Sequence, residues 1–144
     1  MKLAILTPNI SALPQPSAED IGELAARGYR SIIGNRPDGE APDQPTWEEL
    51  KAAALAQGMR AVHIPVVASQ IGEADIHAFR EALKRLPKPI AAFCRTGTRS
   101  TLLWALANEV CLTADERIKI AANAGYDLEP FRTLLTKEAT NAQS

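Results

Sequence analysis

The stretch from Ile90 to Leu106 reads IAAFCRTGTRSTLLWAL and indicates the class of fold that this 144-residue chain adopts. Its first five residues are apolar, which is typical of a buried strand in a parallel sheet. A polar loop around Gly97 follows, and the spacing of the next apolar residues predicts a helix from Thr101 to Val110. A strand, a glycine loop and a helix in this order indicate an α/β fold.

The alternation of strand and helix patterns continues along the rest of the chain. Apolar runs predict the other strands, and capping signals or helical spacing predict the other helices. The expected fold is a single α/β domain over residues 1–144, with three layers and a four-stranded, mainly parallel sheet flanked by helices. The predicted strands are 2–6, 31–34, 61–66 and 90–94, and the predicted helices are 18–27, 47–57, 73–86, 101–110, 114–123 and 130–139.

Composition and charge exclude several classes of protein. The chain is 46% apolar and 23% charged, which excludes a disordered or fibrous protein. Its net charge of −1 gives no electrostatic reason to expect nucleic acid or a membrane as a partner. The apolar run near the N-terminus is too short for a signal peptide or a membrane span, so we expect a cytoplasmic protein. The dispersed His and Cys residues lack metal-ligand spacing and no glycine-rich dinucleotide fingerprint occurs, so we expect neither a metal nor another cofactor.

Cys94 stands at the carboxyl end of a predicted strand, where open α/β sheets bind their ligands. The N–H groups of a tight loop that runs into a helix form an anion site, and Arg95 and Arg99 add positive charge to it. A free cysteine is only about 3% thiolate at neutral pH. The positive charge of such a site would favour the thiolate, which is the reactive form of the side chain. We therefore predict Cys94 and Arg99 as the catalytic residues. The residues predicted to bind the anion are Arg95, Thr96, Gly97, Thr98 and Ser100.

The second cysteine, Cys111, lacks these neighbours. It follows an apolar helical face and has no glycine loop or arginine beside it. We expect it to be a core residue.

The loop CRTGTRS, residues 94–100, resembles the active-site loop of rhodanese-type sulfurtransferases. It is one residue shorter than the Cys-x5-Arg loop of protein tyrosine phosphatases. Together with NRPDGE at residues 35–40 and AVHIPV at residues 61–66, it resembles the phosphatase-like domain family of beta-lactamase-hydrolase-like proteins over about residues 1–110. That resemblance implies a fold like that of dual-specificity phosphatases. Some members are fused to a persulfide dioxygenase, which implies a functional link to such an enzyme, although the H-x-H-x-D metal motif does not occur in this chain.

Two features favour sulfur over phosphorus as the atom transferred. The six-residue loop encloses a smaller ring of N–H groups than the phosphatase loop does. Where dual-specificity phosphatases carry an acidic residue after the strand, this sequence has no carboxylate before Glu73. The preferred interpretation is a sulfurtransferase that moves sulfane sulfur through a Cys94 persulfide. Its partners would be thiosulfate or a persulfide as the small anionic donor, and a low-molecular-weight or protein thiol as the acceptor.

Two other functions remain open from the sequence. One is a cysteine-dependent phosphatase that forms a cysteinyl-phosphate. The other is a non-catalytic anion binder or sulfur carrier, which would keep the loop but show no turnover.

Three further residues are candidates for supporting roles around the site. By resemblance, Arg36 and Asp38 lie near the substrate; alternatively, they form an ion pair that only orders their turn. His63 lies in an apolar strand and is either a hydrogen-bonded core residue or a catalytic base.

Overall fold

The computed structural model describes the backbone of residues 1–143 and the side chains of residues 1–137. Its centre is a sheet of five strands, of which the first is antiparallel to its neighbour and the others run parallel. The strands are β1 (Ala4–Thr7), β2 (Ile10–Leu13), β3 (Ser31–Gly34), β4 (Arg60–His63) and β5 (Ile90–Phe93). They lie in the order β1-β2-β5-β3-β4, so β5 is the central strand.

The predicted class, an α/β fold with a mainly parallel sheet flanked by helices, is confirmed, but the predicted number of four strands is wrong. The missing strand is β2, which pairs with β5 along its whole length, from Ile10 opposite Ile90 to Leu13 opposite Phe93. It is only four residues long and is followed at once by Pro14. Its conformation depends on pairing with a strand some 80 residues away, and no local sequence pattern predicts that pairing.

The helices begin close to the positions that the capping signals predict. The hydroxyls of Ser17, Thr46 and Thr113 accept hydrogen bonds from backbone N–H groups three residues later, which confirms these three caps. Short 3-10 turns occur at Ala68–Gln70 and Glu129–Phe131. The helices are α1 (Ala18–Ala26), α2 (Trp47–Ala56), α3 (Glu73–Arg85), α4 (Thr98–Ala107), α5 (Ala114–Asn123) and α6 (Arg132–Gln143).

Helix α4 differs from its prediction at both ends, which changes the surroundings of Cys111. The helix begins at Thr98, three residues earlier than predicted, and ends at Ala107. Asn108 stops it in the left-handed conformation and uses its side chain to bond both the N–H and the C=O group of Leu112. The chain therefore turns away before Cys111, which is exposed. The expectation that Cys111 lies in the core is wrong.

The helices cover both faces of the sheet. Because side chains alternate along a strand, Ile32 of β3 packs with α1 and α2, and its neighbour Ile33 packs with α3 to α6. The carboxyl ends of β3 and β5 meet at one edge, where the Asn35 N–H donates to the Phe93 carbonyl at 2.8 Å. Cys94 lies at that edge. In the described part of the chain, no helix has both the length and the apolar character needed to cross a membrane.

Candidate active site

Cys94 directly follows the central strand β5, and its side chain is buried. The Gly97 N–H donates a hydrogen bond to Sγ of Cys94 at 3.1 Å. Gly97 has a φ of +97°, a left-handed conformation that glycine adopts without strain, and α4 starts at the next residue. The thiol thus lies against a backbone donor at a helix N-terminus. Both features place positive partial charge beside the sulfur.

Arg99 is held in place by a two-point ion pair with Glu40. Nη1 donates to Oε2 at 2.7 Å and Nη2 donates to Oε1 at 2.8 Å, and Nη1 also donates to the carbonyl of Val66 at 2.9 Å. The hydrogen bond from Arg99 holds the pKa of Glu40 down at about 2, against the opposing effect of burial. Glu40 is therefore ionised at neutral pH. It anchors the guanidinium and cannot donate a proton.

The anchoring leaves one edge of the Arg99 guanidinium available. The guanidinium has five N–H groups. Both N–H groups of Nη1 and one of Nη2 donate to Glu40 and Val66. The Nε–H and the remaining Nη2–H lie side by side and donate to no oxygen of the described residues. The pKa of Arg99 is raised, chiefly by the hydrogen bond to Glu40 and further by the negative charge of Cys94 and a hydrogen bond with Cys94. The available edge is therefore part of the same site as the thiol.

Arg36 supports Glu40 from a second side. Its side chain is buried, its Nε donates to Oε1 of Glu40 at 3.0 Å, and its Nη1 donates to Oε1 of Gln15 at 3.1 Å. Two arginines thus share one carboxylate, so the cluster keeps a net positive charge beside the thiol.

Asp38 and His63 both contact Trp47 at the start of α2. Asp38 does not pair with Arg36; its Oδ1 accepts a hydrogen bond from the backbone N–H of Trp47 at 2.8 Å. The His63 ring stacks on Trp47 at 4.8 Å between centroids, and its Nε2 lies 3.2 Å from the carbonyl oxygen of Arg36. These contacts shape the loop between β3 and α2. Among the contacts found for these two side chains, none is with Cys94.

Ser100 uses its side chain to join two elements. Its Oγ donates to Oδ1 of Asn35 at 2.8 Å, and Nδ2 of Asn35 donates to the carbonyl of Ile64 at 2.9 Å. Both side chains are buried. The hydroxyl therefore ties the start of α4 to the ends of β3 and β4, and only the backbone of Ser100 remains for an anion.

The other loop residues present polar groups at the surface. Arg95 is exposed, and within the described residues its guanidinium forms no ion pair. Its carbonyl accepts a hydrogen bond from the N–H of Gln15 at 3.2 Å. The Thr96 hydroxyl donates to that of Thr98 at 3.1 Å. The charge of Arg95 is thus available to an approaching anion.

Sequence analysis missed Glu40 and Tyr126 as members of the site. Glu40 belongs to the NRPDGE stretch and pairs with Arg36 four residues earlier, but a spacing of four brings side chains together predictably only on a helix, and this stretch is a loop. Tyr126 donates from its hydroxyl to the carbonyl of Thr96 at 3.0 Å, although 30 residues separate the two. Burial, and then the charge of Cys94, raise the pKa of Tyr126. No local pattern connects this tyrosine with the loop.

Within the described residues there is no group of three or more His, Cys, Asp or Glu that could hold a metal ion.

The chain resembles known proteins in sequence over most of its length. The family described as "Beta-lactamase hydrolase-like protein, phosphatase-like domain" matches residues 2–111. A beta-lactamase hydrolase-like protein of Xylella fastidiosa (strain Temecula1) is 35% identical over 141 residues, which cover 96% of this chain and 33% of that protein. One from Agrobacterium fabrum is 41% identical over 106 residues, covering 74% and 25% respectively. The chain thus spans about a third or less of the length of these curated relatives.

Solved structures resemble it in fold. A candidate phosphatase from Neisseria meningitidis is 34% identical, with a TM-score of 0.87 and coverage of 96% of this chain and 99% of that one. TpbA of P. aeruginosa, solved with phosphotyrosine, is 14% identical, with a TM-score of 0.67 over 97% of this chain and 81% of that one, and shows a shared fold alone. These findings support the phosphatase alternative better than the sulfurtransferase interpretation preferred from the sequence, which they do not support.

Proposed function

The chain belongs to the phosphatase-like domain family of beta-lactamase hydrolase-like proteins, and we propose that it is a cysteine-dependent phosphatase acting through Cys94. The observation that carries the proposal is the arrangement of Arg99. Glu40 fixes one edge of its guanidinium, and the edge that remains carries two parallel N–H groups beside the thiol. A phosphoryl group presents pairs of oxygens that match such a fork.

Charge complementarity supports the same class of substrate. Arg36 and Arg99 against Glu40 leave one positive charge, and the exposed guanidinium of Arg95 adds a second at the mouth of the loop. A phosphomonoester carries up to two negative charges near neutral pH. The site is therefore suited to a small dianionic group.

The reaction would proceed in two steps. The Cys94 thiolate attacks phosphorus, the bond from phosphorus to the ester oxygen breaks, and the leaving group departs as an anion that then takes a proton from water. Water then attacks the cysteinyl-phosphate, the S–P bond breaks, and inorganic phosphate and the thiolate are released. Arg99 and the loop N–H groups hold the phosphoryl oxygens throughout both steps.

The leaving group should determine which esters react. Glu40 is ionised, and residues 66–72 carry no carboxylate that could protonate the departing oxygen. Without such an acid, esters with stable leaving anions react faster. We therefore propose aryl phosphates as better substrates than alkyl phosphates.

The short loop favours sulfur transfer as a second candidate reaction. Only four residues separate Cys94 from Arg99, and the Gly97 N–H already contacts Sγ at 3.1 Å. A single terminal sulfur requires less space than a phosphoryl group. In that reaction the thiolate attacks the outer sulfur of thiosulfate, the S–S bond breaks and sulfite leaves; an acceptor thiolate then removes the sulfur from Cys94. This route needs no acid.

The test assays both reactions side by side on the purified chain. One assay follows p-nitrophenyl phosphate hydrolysis and the other follows sulfur transfer from thiosulfate to glutathione. Cys94→Ser serves as the blank and Cys111→Ser as the matched control. A phosphatase hydrolyses the ester and gains about 80 Da when quenched during turnover, whereas a sulfurtransferase gains about 32 Da from thiosulfate. Thiosulfate activity without ester hydrolysis would replace our proposal by the second candidate, and no turnover in either assay would reject both.

A further inference from the structure

Tyr126 reaches the active-site loop from the C-terminal part of the chain, outside the residues 2–111 that match the family. It follows Gly125, which ends the α5 region with a φ of +102°. Its backbone N–H donates to the carbonyl of Ala121 at 2.8 Å, and its ring packs against the core on the α3–α6 face of the sheet. Its backbone is therefore held by α5 and its ring by the core, in addition to its contacts with the loop.

The tyrosine and the thiol bind the two ends of one peptide group. The Tyr126 hydroxyl donates to the carbonyl oxygen of Thr96 at 3.0 Å. The N–H of that same peptide, which belongs to Gly97, donates to Sγ of Cys94 at 3.1 Å. A hydrogen bond to the carbonyl polarises the peptide and strengthens the bond that its N–H donates. The three groups thus form one hydrogen-bonded chain from Tyr126 to Cys94.

This peptide needs an external support because glycine follows its carbonyl. Gly97 has access to both positive and negative φ, so the peptide could rotate and turn its carbonyl oxygen toward the thiolate. The tyrosine ring also contacts the backbone here: a Cβ added to Gly97 would lie 2.0 Å from the Tyr126 hydroxyl oxygen and 2.6 Å from Cζ. Hydroxyl and ring together hold the peptide in the observed orientation.

We propose that Tyr126 is a positioning residue that keeps the Thr96–Gly97 peptide turned with its N–H toward Cys94. The inference rests on the part of the proposed function that makes Cys94 the nucleophile, which both candidate reactions share. Tyr126 acts through the peptide and touches neither the thiol nor the substrate in this role. Burial and then the charge of Cys94 raise the pKa of Tyr126, so its hydroxyl keeps the proton that it donates.

The test measures the alkylation of Cys94 by iodoacetamide in a Cys111→Ser background at pH 6 and pH 9. Tyr126→Phe removes the hydroxyl and keeps the ring against Gly97. At pH 6 we expect alkylation to slow about five-fold, since one hydrogen bond that favours the thiolate is weakened. A free thiol is largely ionised at pH 9, so the difference should shrink there. Arg99 is the other titratable group found to interact with Cys94, and it stays charged at both pH values.

Tyr29→Phe is the matched control. Tyr29 is the other of the two tyrosines in the chain, and its hydroxyl is hydrogen-bonded to Ser11 Oγ at 2.7 Å. Removing that hydroxyl deletes a comparable bond and should leave the alkylation rate unchanged. Equal slowing in both variants, an unchanged rate in Tyr126→Phe, or the same slowing at pH 6 and pH 9 would each overturn the inference. The assay uses no substrate, so failure to find phosphatase activity would not affect its outcome.

Discussion

The reactivity of Cys94 depends on single groups that come from separate parts of the chain. The Gly97 N–H lies in the loop itself, Arg99 lies in the first turn of α4, and Tyr126 follows α5. Each places a hydrogen-bond donor or positive charge near Sγ or near the peptide that contacts it. Burial alone would disfavour the thiolate, so these groups must offset that cost.

The first prediction compares the two cysteines. Cys94 is buried and Cys111 is exposed, so access alone would make Cys111 the more reactive thiol. If the loop stabilises the thiolate, Cys94 should react with iodoacetamide at least about ten-fold faster than Cys111 at pH 6. Mass spectrometry of the two cysteine peptides over time measures both rates. Faster labelling of Cys111 would contradict the assignment of Cys94 as the nucleophile.

The second prediction concerns the fork of Arg99. Arg99→Lys keeps the charge but loses both the two-point contact with Glu40 and the second pair of N–H groups. For a phosphatase, kcat/KM should fall by at least about a hundred-fold, or about 2.7 kcal/mol. For sulfur transfer the role is mainly electrostatic, and about a ten-fold loss is expected. Arg85→Lys, at the end of α3 with its side chain 81% exposed, is the surface control. A modest loss of ester hydrolysis would contradict the proposal that the paired N–H groups of Arg99 bind the phosphoryl group.

The third prediction follows from the lowered pKa of Glu40. A carboxylate with a pKa of about 2 in the folded state and about 4.5 when unfolded stabilises the protein above the higher value. That contribution is lost as the pH falls from 4.5 toward 2. Glu40→Gln should therefore melt at a lower temperature than wild type at pH 7, and the difference should narrow by pH 3. Melting curves across this range measure it; Glu23→Gln, in the exposed pair with Arg27, should show little change.

At the scale of elements, the sequence predicts the helices more accurately than the strands. The hydroxyl caps at Ser17, Thr46 and Thr113 are local features, and the structure has them. Strand β2 carries no local signal because β5 determines its conformation. The sequence predicts the start of α4 three residues too late because Gly97 caps the helix without a side chain. Cys94 could be located from a strand, a glycine and two arginines in one short run. Tyr126 could not be located, since only the packing of α5 brings it to the loop.

The fourth prediction concerns the junction where three elements meet. Asn35 is fully buried and bonds Ser100 of α4 and the carbonyl of Ile64 after β4. Asn35→Ala leaves a buried hydroxyl and a buried carbonyl without partners, which should cost about 2–4 kcal/mol of unfolding free energy. Urea unfolding measures the change. Asn123→Ala, at an exposed position of α5, should change it by less than about 1 kcal/mol. Similar effects in the two variants would contradict the importance of the junction.

At the scale of the whole molecule, the part of the chain beyond the family match belongs to the same core as the rest. Leu128 and Leu135 are fully buried together with residues of α3 and α4. The guanidinium of Arg117, also buried, donates to the carbonyls of Ala105 in α4 and Leu135 in α6. Because α4 begins at the active-site loop, packing in this segment bears on the geometry of that loop as well as on stability.

The fifth prediction tests this connection with two adjacent leucines of α6. Leu135 is 0% exposed and Leu134 is 43% exposed. Leu135→Ala should lower the unfolding free energy by about 2–5 kcal/mol, because it leaves a cavity between α4, α5 and α6. Leu134→Ala should lower it by less than about 1 kcal/mol. Leu135→Ala should also slow the alkylation of Cys94 at pH 6, since the cavity loosens the packing that places Tyr126 against the loop. If Leu135→Ala destabilised the fold but left that rate unchanged, the C-terminal segment would support the core without positioning the active site.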